Sequence, residues 1–110
     1  MSFTGNEDHY ISLQDAADMT ANYRRDNPMD IQGHFFGKSA IQDILDQTSC
    51  VGIRIYYGIS STTGEKQLIV VGVDSSEDDL YEGSLAERSV ACPPTCGVSN
   101  PLNTDSVGTE

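Results

Sequence analysis

Three cysteines and two histidines are the residues of this sequence best suited to metal or redox chemistry. Cys92 and Cys96 enclose Pro-Pro-Thr, a spacing that lies within the range found in zinc knuckles. Cys50, together with His34 or His9, would complete a tetrahedral set of ligands. Structural zinc sites usually contain two closely spaced pairs, whereas this sequence has one. We therefore expect no resident cofactor and keep zinc as an alternative.

The same Cys92 and Cys96 also permit a disulfide interpretation. Cytoplasmic thiols stay reduced, so two thiols in an ordered loop are the expected state. A local disulfide between them is the alternative if the protein is exported, because the intervening prolines bend the chain. Cys50 lies between a predicted helix and an apolar strand, and we expect it to be a small buried side chain.

Arg54 and Tyr56 form the candidate binding surface. They alternate with Gly52 and Gly58 along a predicted strand, so one face of that strand carries all four residues. Because glycines have no side chain, this face is shallow. A guanidinium there can hold a carboxylate through two hydrogen bonds, with apolar contact from the tyrosine ring. Because the chain has 17 acidic residues, we favour the alternative that Arg54 forms an internal salt bridge.

Catalytic motifs do not occur in the sequence. G-x-S-x-G, H-E-x-x-H, Walker A and G-x-G-x-x-G are all missing. His34 lies beside two phenylalanines, and no nucleophile or orienting acid can be assigned to it. The acidic stretch 74–82 lacks the alternating oxygen ligands and central glycine of a calcium loop. We predict that the protein is not an enzyme.

Charge limits the classes of partner. Six basic and 17 acidic residues give a net charge of -11, which would repel nucleic-acid phosphates and anionic lipid headgroups. The first residues lack the features of a signal peptide, and no apolar run is long enough to cross a bilayer. We expect a cytoplasmic protein that binds neither nucleic acid nor membranes.

Hydrophobic periodicity predicts an α+β fold that begins with two short helices. The first is expected over 13–26, after an N-cap at Ser12 and before Pro28. The second is expected over 40–47, because Ser39 and Gln42 match a capping box.

A β-hairpin is predicted to follow the helices. From Val51 the period changes to two, which places Ile53, Ile55 and Tyr57 on the buried face and Arg54 on the outer face. The run 67–73 is apolar on both faces and forms the second strand. One or two short strands, at 31–36 and 87–91, are candidates to extend the hairpin. The predicted core is Leu13, Ala17, Ile41, Ile44, Leu45, Ile53, Ile55, Tyr57, Leu68, Val70 and Val71.

Composition divides the chain into a polar arm at 1–9, a single domain at 10–91 and a tail at 92–110 that contains proline and cysteine. Prolines restrict the tail to extended geometry and so lower the entropy lost on docking. Val98 and Leu102 are spaced to anchor it in an apolar groove, which strand 68–73 of the same chain or of a neighbour would provide.

The stretch Gly37 to Gly58, with its strand G-I-R-I-Y-Y-G, and the C-P-P-T-C loop at 92–96 resemble a group of small uncharacterised bacterial proteins. The resemblance covers residues 11–103. It implies a bacterial origin and a recurring architecture, and it implies no activity, cofactor or partner.

The sequence as a whole favours a non-enzymatic module that self-assembles into a homo-oligomer or binds another protein, since it has no catalytic motif and one strand is apolar on both faces. Two alternatives remain open. One is a small thiol or zinc protein acting through Cys92 and Cys96. The other is an acidic inhibitor or immunity-type protein that its charge steers onto a basic partner.

Overall fold

The computed structural model describes residues 2–104 and has the α+β fold expected from the sequence. The elements, in chain order, are α1 (Leu13–Asp26), β1 (Gly33–Phe35), α2 (Lys38–Leu45), β2 (Gly52–Ile59), β3 (Lys66–Val73), β4 (Leu85–Ala86) and β5 (Val90–Cys92). Neither of the two helices in this part of the chain is long and apolar enough to cross a membrane.

The described residues divide into two compact units, and each is described by itself. One unit comprises residues 2–8 and 35–90, which include α2 and the sheet of β2, β3 and β4. The other comprises residues 9–34 and 91–104, which include α1 and the cysteine-containing segment after β5. We call them the sheet unit and the tail unit.

Helix α1 has the bounds that its capping residues predict. The Ser12 side chain accepts a hydrogen bond from the Asp15 backbone N–H at 3.1 Å. At the other end, the Asn27 N–H donates to the Tyr23 carbonyl, immediately before Pro28. None of the helix's 14 residues is buried, so Leu13 does not belong to a core and Ala17 is only half-buried. The small side chains of this helix face explain the difference, because they give little apolar surface to pack.

Helix α2 begins two residues earlier than predicted, at Lys38, and ends at Leu45. The N-cap is Gly37, whose carbonyl accepts from the Ile41 N–H at 3.3 Å, and no side chain caps the helix. Ser39 therefore lies inside the first turn, and the predicted capping box is wrong. The Gln42 amide instead donates to the Asp46 carboxylate one turn later, at 2.8 Å.

The sheet unit contains the predicted antiparallel hairpin of β2 and β3, extended on one side by β4. Its register runs without a break from Gly52 opposite Val73 to Ile59 opposite Lys66. Strand β4, with Ala86 opposite Val70, was not predicted, because two residues are too few to show a period. The candidate strands at 31–36 and 87–91 correspond to β1 and β5, which pair with each other and do not extend the hairpin.

Strand β2 alternates with a period of two, and Ile53 and Ile55 share a face with Val70 of the core, but the predicted burial of this face is wrong. Ile53, Ile55 and Tyr57 are exposed, whereas Arg54 is half-buried. The residues around Asp79 cover the Arg54 face. Period alone shows that a strand has two different faces, and it does not show which face the rest of the chain will cover.

The main buried cluster lies between α2 and strands β3 and β4, and Val71 and Val73 are buried on the opposite face of β3. Ile44, Val70 and Ala86 form a buried cluster, with Phe36 and Ile41 packed against it. Burial confirms the prediction for Ile44, Val70 and Val71, and it adds Val73 and Ala86. Of the remaining predicted core residues, Ile41 and Leu68 are half-buried and Leu45 is exposed.

Gly72 allows the end of α2 to approach β3 closely. A Cβ atom at this buried glycine would lie 2.8 Å from the Gln47 Nε2 atom and 3.0 Å from the Cys50 sulfur. It would also lie 3.3 Å from a methyl group of Ile44. A larger residue would therefore push the helix away from the sheet.

The tail unit is held together by bonds between its own segments. β1 and β5, most of whose residues belong to this unit, form a two-stranded sheet. The Gln32 N–H donates to the Cys92 carbonyl beside that sheet. The Arg24 Nη1 atom on α1 donates to the Leu102 carbonyl at 2.7 Å. These bonds link residues 92–104 to the first part of the chain.

We predict that Ile44→Ala lowers the free energy of unfolding by about 2 to 5 kcal/mol, because it removes the central side chain of the core. Urea denaturation followed by circular dichroism measures the change. Leu45→Ala is the matched control, since Leu45 is its exposed neighbour on the same helix. Equal destabilisation by the two substitutions would contradict the position assigned to the core.

Candidate functional site

Strand β2 carries two different surfaces, one on each face. On one face, Arg54 and Tyr56 meet Asp79, and we call these three residues the Asp79 cluster. The other face carries Ile53, Ile55, Tyr57 and Ile59, which we call the β2 stripe. Alternation along the strand separates the two sets, because successive side chains point to opposite faces.

The Asp79 carboxylate joins the two polar side chains of β2. Its Oδ1 atom accepts from the Arg54 Nη1 atom at 2.5 Å, and its Oδ2 atom accepts from the Tyr56 hydroxyl. Both terminal nitrogens of Arg54 also lie 3.4 Å from the Glu77 carbonyl oxygen. The carboxylate bound to Arg54 thus belongs to the chain itself, in agreement with the favoured prediction of an internal salt bridge.

The loop before Asp79 fixes the position of this carboxylate. The Asp74 side chain accepts from the backbone N–H groups of Ser76 at 2.9 Å and Asp78 at 3.1 Å. Glu77 has a left-handed backbone, with φ of 73°, and Asp79 forms an isolated bridge to Val73. Because the loop is closed on itself by these bonds, Asp79 is held beside β2.

Hydrogen bonding within the cluster shifts three pKa values. The Tyr56 hydroxyl and then Arg54 lower the pKa of Asp79 below its ordinary value, against some loss of solvent. The hydrogen bond to Asp79 raises the pKa of Arg54. The same carboxylate raises the pKa of Tyr56, since ionised Tyr56 would place a second negative charge beside it. The cluster is therefore most stable with Asp79 ionised and Tyr56 neutral.

The N-terminal residues of the sheet unit cover part of this face. The Arg54 guanidinium lies over the ring of Phe3, 6.0 Å from its centroid, at the outer limit of a cation–π contact. The Phe3 N–H donates to the Ser75 carbonyl at 3.0 Å, in the loop that presents Asp79. With these neighbours in place, the charged groups of the cluster are engaged by the chain itself.

All four residues of the β2 stripe are exposed. The exposed fractions are 41% for Ile53, 48% for Ile55, 92% for Tyr57 and 74% for Ile59. β2 is also an edge strand of its sheet. A long apolar edge strand is normally protected by lysine, proline or a bulge, yet the sequence 52–59 has neither lysine nor proline and the register has no bulge.

The sulfur chemistry lies elsewhere. Cys92 and Cys96 form a disulfide in the tail unit, with a Cα–Cα distance of 4.8 Å. The expectation of two reduced thiols is therefore wrong, and the structure has the alternative, a local disulfide. Cys50 is a free, half-buried thiol in the sheet unit, 3.2 Å from the Gly52 carbonyl oxygen. His34 is half-buried in β1. Within residues 2–104, no group of three or more His, Cys, Asp or Glu side chains is arranged to hold a metal ion.

The predicted tail anchors are not buried within the chain. Val98 is 86% exposed and Leu102 is 45% exposed. The tail is held instead through polar groups, because Arg24 binds the Leu102 carbonyl and the Asn103 side chain accepts from the Asn100 N–H at 2.8 Å. Docking of these two apolar side chains across an interface stays a prediction.

Comparison of the chain with protein-family models, with curated proteins and with solved structures finds no match in any of the three. The resemblance to small bacterial proteins therefore stays a prediction. The candidate site rests on its geometry alone, and Asp79 is the residue that sequence reasoning missed. It lies 25 positions from Arg54 within an acidic stretch, and no local pattern distinguishes it from the neighbouring acids.

We predict that the Asp79 cluster makes folding stability depend on pH in the acid range. Because the folded chain lowers the pKa of Asp79 from 3.8, the stabilisation is present above that value and is lost as the pH falls through the folded-state pKa. Thermal melts from about pH 5 to about pH 2 should show a smaller fall for Asp79→Asn than for the wild type. Asp78→Asn, at an exposed neighbour, should keep the wild-type slope.

The disulfide predicts the number of reactive thiols. One cysteine, Cys50, should be alkylated in the denatured protein before reduction, and three after it. Intact mass spectrometry counts the added groups, and reduction alone should add about two hydrogens. Three alkylated cysteines without reduction would show that Cys92 and Cys96 are thiols.

Proposed function

We propose that this protein is a non-enzymatic protein-binding module whose binding surface is the β2 stripe together with the open edge of β2. The observation that carries the proposal is the set of four large apolar side chains exposed on one face of an edge strand. Contiguous apolar surface of this kind marks an interaction site in proteins that remain dispersed in water.

The strand is prepared for binding by the contacts on its other face. Two bonds from one carboxylate hold Arg54 and Tyr56, which alternate in sequence with the residues of the stripe. Eight register pairs with β3 hold the backbone along its full length. A strand that is ordered before binding loses less conformational entropy when a partner docks.

Addition of a strand is the mode of recognition that fits this surface. An extended segment can form main-chain hydrogen bonds with an exposed sheet edge, while side chains on one face provide specificity. For β2, those side chains are the isoleucines and Tyr57 of the stripe. The non-enzymatic part of the proposal is supported by the missing catalytic motifs and by the mutual engagement of the polar groups in the Asp79 cluster.

A second candidate function uses the disulfide of the tail unit. Cys96 is an exposed residue. Attack of an external thiolate on its sulfur would form a mixed disulfide and release Cys92 as a thiolate. This would make the protein a small thiol protein, and the alkylation count described above tests its starting state.

The protein-binding proposal predicts that capture of partners from the source cell's lysate depends on β2. We expect Tyr57→Lys with Ile59→Lys to abolish capture, because a partner would have to bury two charges in an apolar contact. The measurement is mass spectrometry of retained proteins, including untagged copies of the chain itself.

Met19→Lys with Met29→Lys is the matched control. It changes two apolar residues that are 63% and 93% exposed, and it adds the same two charges outside the sheet unit. Retention of the same proteins by wild type, control and β2 variant alike would overturn the proposal.

A further inference from the structure

We infer that the partner of the β2 stripe is a second copy of this chain, and that two β2 strands pair antiparallel about a two-fold axis at Tyr56. The two three-stranded sheets would then form one sheet of six strands. This inference rests on the proposed function, and it adds the identity of the partner and the register of the contact.

The hydrogen bonds of the hairpin determine which backbone groups of β2 face outward. Near the turn, the Ser60 N–H donates to the Glu65 carbonyl at 2.9 Å, so Ser60 and Glu65 are a hydrogen-bonding pair. Bonding and non-bonding pairs alternate in an antiparallel ladder. Since the register is unbroken, Arg54 and Tyr56 bond inward to β3. The backbone N–H and C=O groups of the alternate residues, from Ile53 to Ile59, point to the open edge.

The outward-facing residues are Ile53, Ile55, Tyr57 and Ile59, which are also the members of the stripe. A partner strand can therefore bond to the backbone of the same residues whose side chains it covers. In an isologous pair each copy offers this set to the other, so one strand supplies both halves of the contact.

Only residues whose backbone groups point to the open edge can bond to a second copy. This condition leaves very few possible registers. With Tyr56 on the axis, Ile53 lies opposite Ile59 of the second copy, and Ile55 lies opposite Tyr57. This register uses every outward-facing residue of the stripe. An axis at Ile55 would require the Val51 N–H, which already donates to the Val73 carbonyl at 2.8 Å. An axis at Tyr57 would leave Ile53 opposite Ser61 in the turn.

The side chains agree with the Tyr56 register. The stripes of the two copies lie on the same face of the joined sheet and pack side by side, since opposite residues of an antiparallel pair share a face. On the other face, Arg54 lies opposite Gly58 of the second copy. The two guanidinium groups are therefore not opposed.

Charge favours a second copy over a basic partner at this surface. Each chain carries a net charge of -11, so two copies repel each other over most of their surfaces. Residues 51–59 contain a single charged residue, Arg54, and Asp79 neutralises it. The strip around β2 is thus a place where two copies can meet at small electrostatic cost. A basic partner would gain nothing from it.

The salt dependence of binding distinguishes a second copy from a basic partner. Screening weakens the repulsion between two acidic copies, so self-association should strengthen from low to moderate salt concentration. Association with a basic partner should weaken over the same range.

The test is the molecular mass of the intact protein in solution, measured by sedimentation or light scattering over a range of protein and salt concentrations. We expect a mass of twice the 11.9 kDa chain, approached more readily as salt rises. Tyr57→Lys with Ile59→Lys should lose the dimer, whereas Met19→Lys with Met29→Lys should keep it. A dimer that survives the β2 variant would overturn the inference.

Cross-linking tests the register separately. In a Cys50→Ser background, Tyr56→Cys should form an intermolecular disulfide on mild oxidation, because the two positions face each other across the axis. Tyr57→Cys is the neighbouring control, and it should not, since its opposite residue is Ile55. Reversed results for Tyr56→Cys and Tyr57→Cys would overturn the register. Circular dichroism establishes that each variant is folded.

The inference and the proposed function fail in different ways. A protein that is monomeric at every concentration and salt level, but still captures another protein through β2, overturns the second copy as partner and leaves the protein-binding function standing. Capture that does not depend on β2 overturns the function itself. Reversible, salt-strengthened dimerisation that requires the stripe supports both.

Discussion

The size of a single short helix limits how much of the sheet unit is covered. An α-helix with its side chains is about 10 Å across, and neighbouring strands lie about 4.8 Å apart, so one helix covers roughly two strands. Helix α2 has eight residues and places Ile44 over Val70 and Ala86, on β3 and β4. Helix α2 also approaches the third strand, β2, but it leaves Ile53 and Ile55 41% and 48% exposed. The exposed stripe follows from this incomplete cover.

Local patterns in the sequence predict the elements well where a capping residue or a long period specifies them. Ser12 and Pro28 predict both ends of α1, and the period-two run from Val51 predicts β2. Gly37 is the N-cap of α2 although Ser39 has the better capping side chain, and the Gly37 carbonyl accepts the first helical hydrogen bond. A two-residue strand such as β4 gives no periodic signal, although Ala86 contributes to the core.

The candidate site depends on contacts that are distant in sequence, and these were predicted less well. Arg54 was expected to find an internal acid, but nothing in the sequence selects Asp79 from the acidic residues around it. Asp79 and Phe3 contact the Arg54 face, and on the opposite face the short helix α2 leaves Ile53 and Ile55 exposed. The error in the predicted core thus has one origin. Hydrophobicity favoured burial of the isoleucine face, whereas two polar bonds and a short helix placed it outside.

Two-fold pairing through β2 limits how far the sheet can grow along that edge. A strand edge that recruits another strand leaves a new edge exposed unless symmetry closes the contact, and repeated recruitment produces fibres. An isologous pair formed through β2 occupies the same edge in both copies. The outer boundary of the joined sheet then consists, on each side, of the two-residue β4 and the part of β3 that β4 does not pair. Growth of the sheet through β2 therefore stops after the first pairing, and an assembly formed through this edge alone is self-terminating.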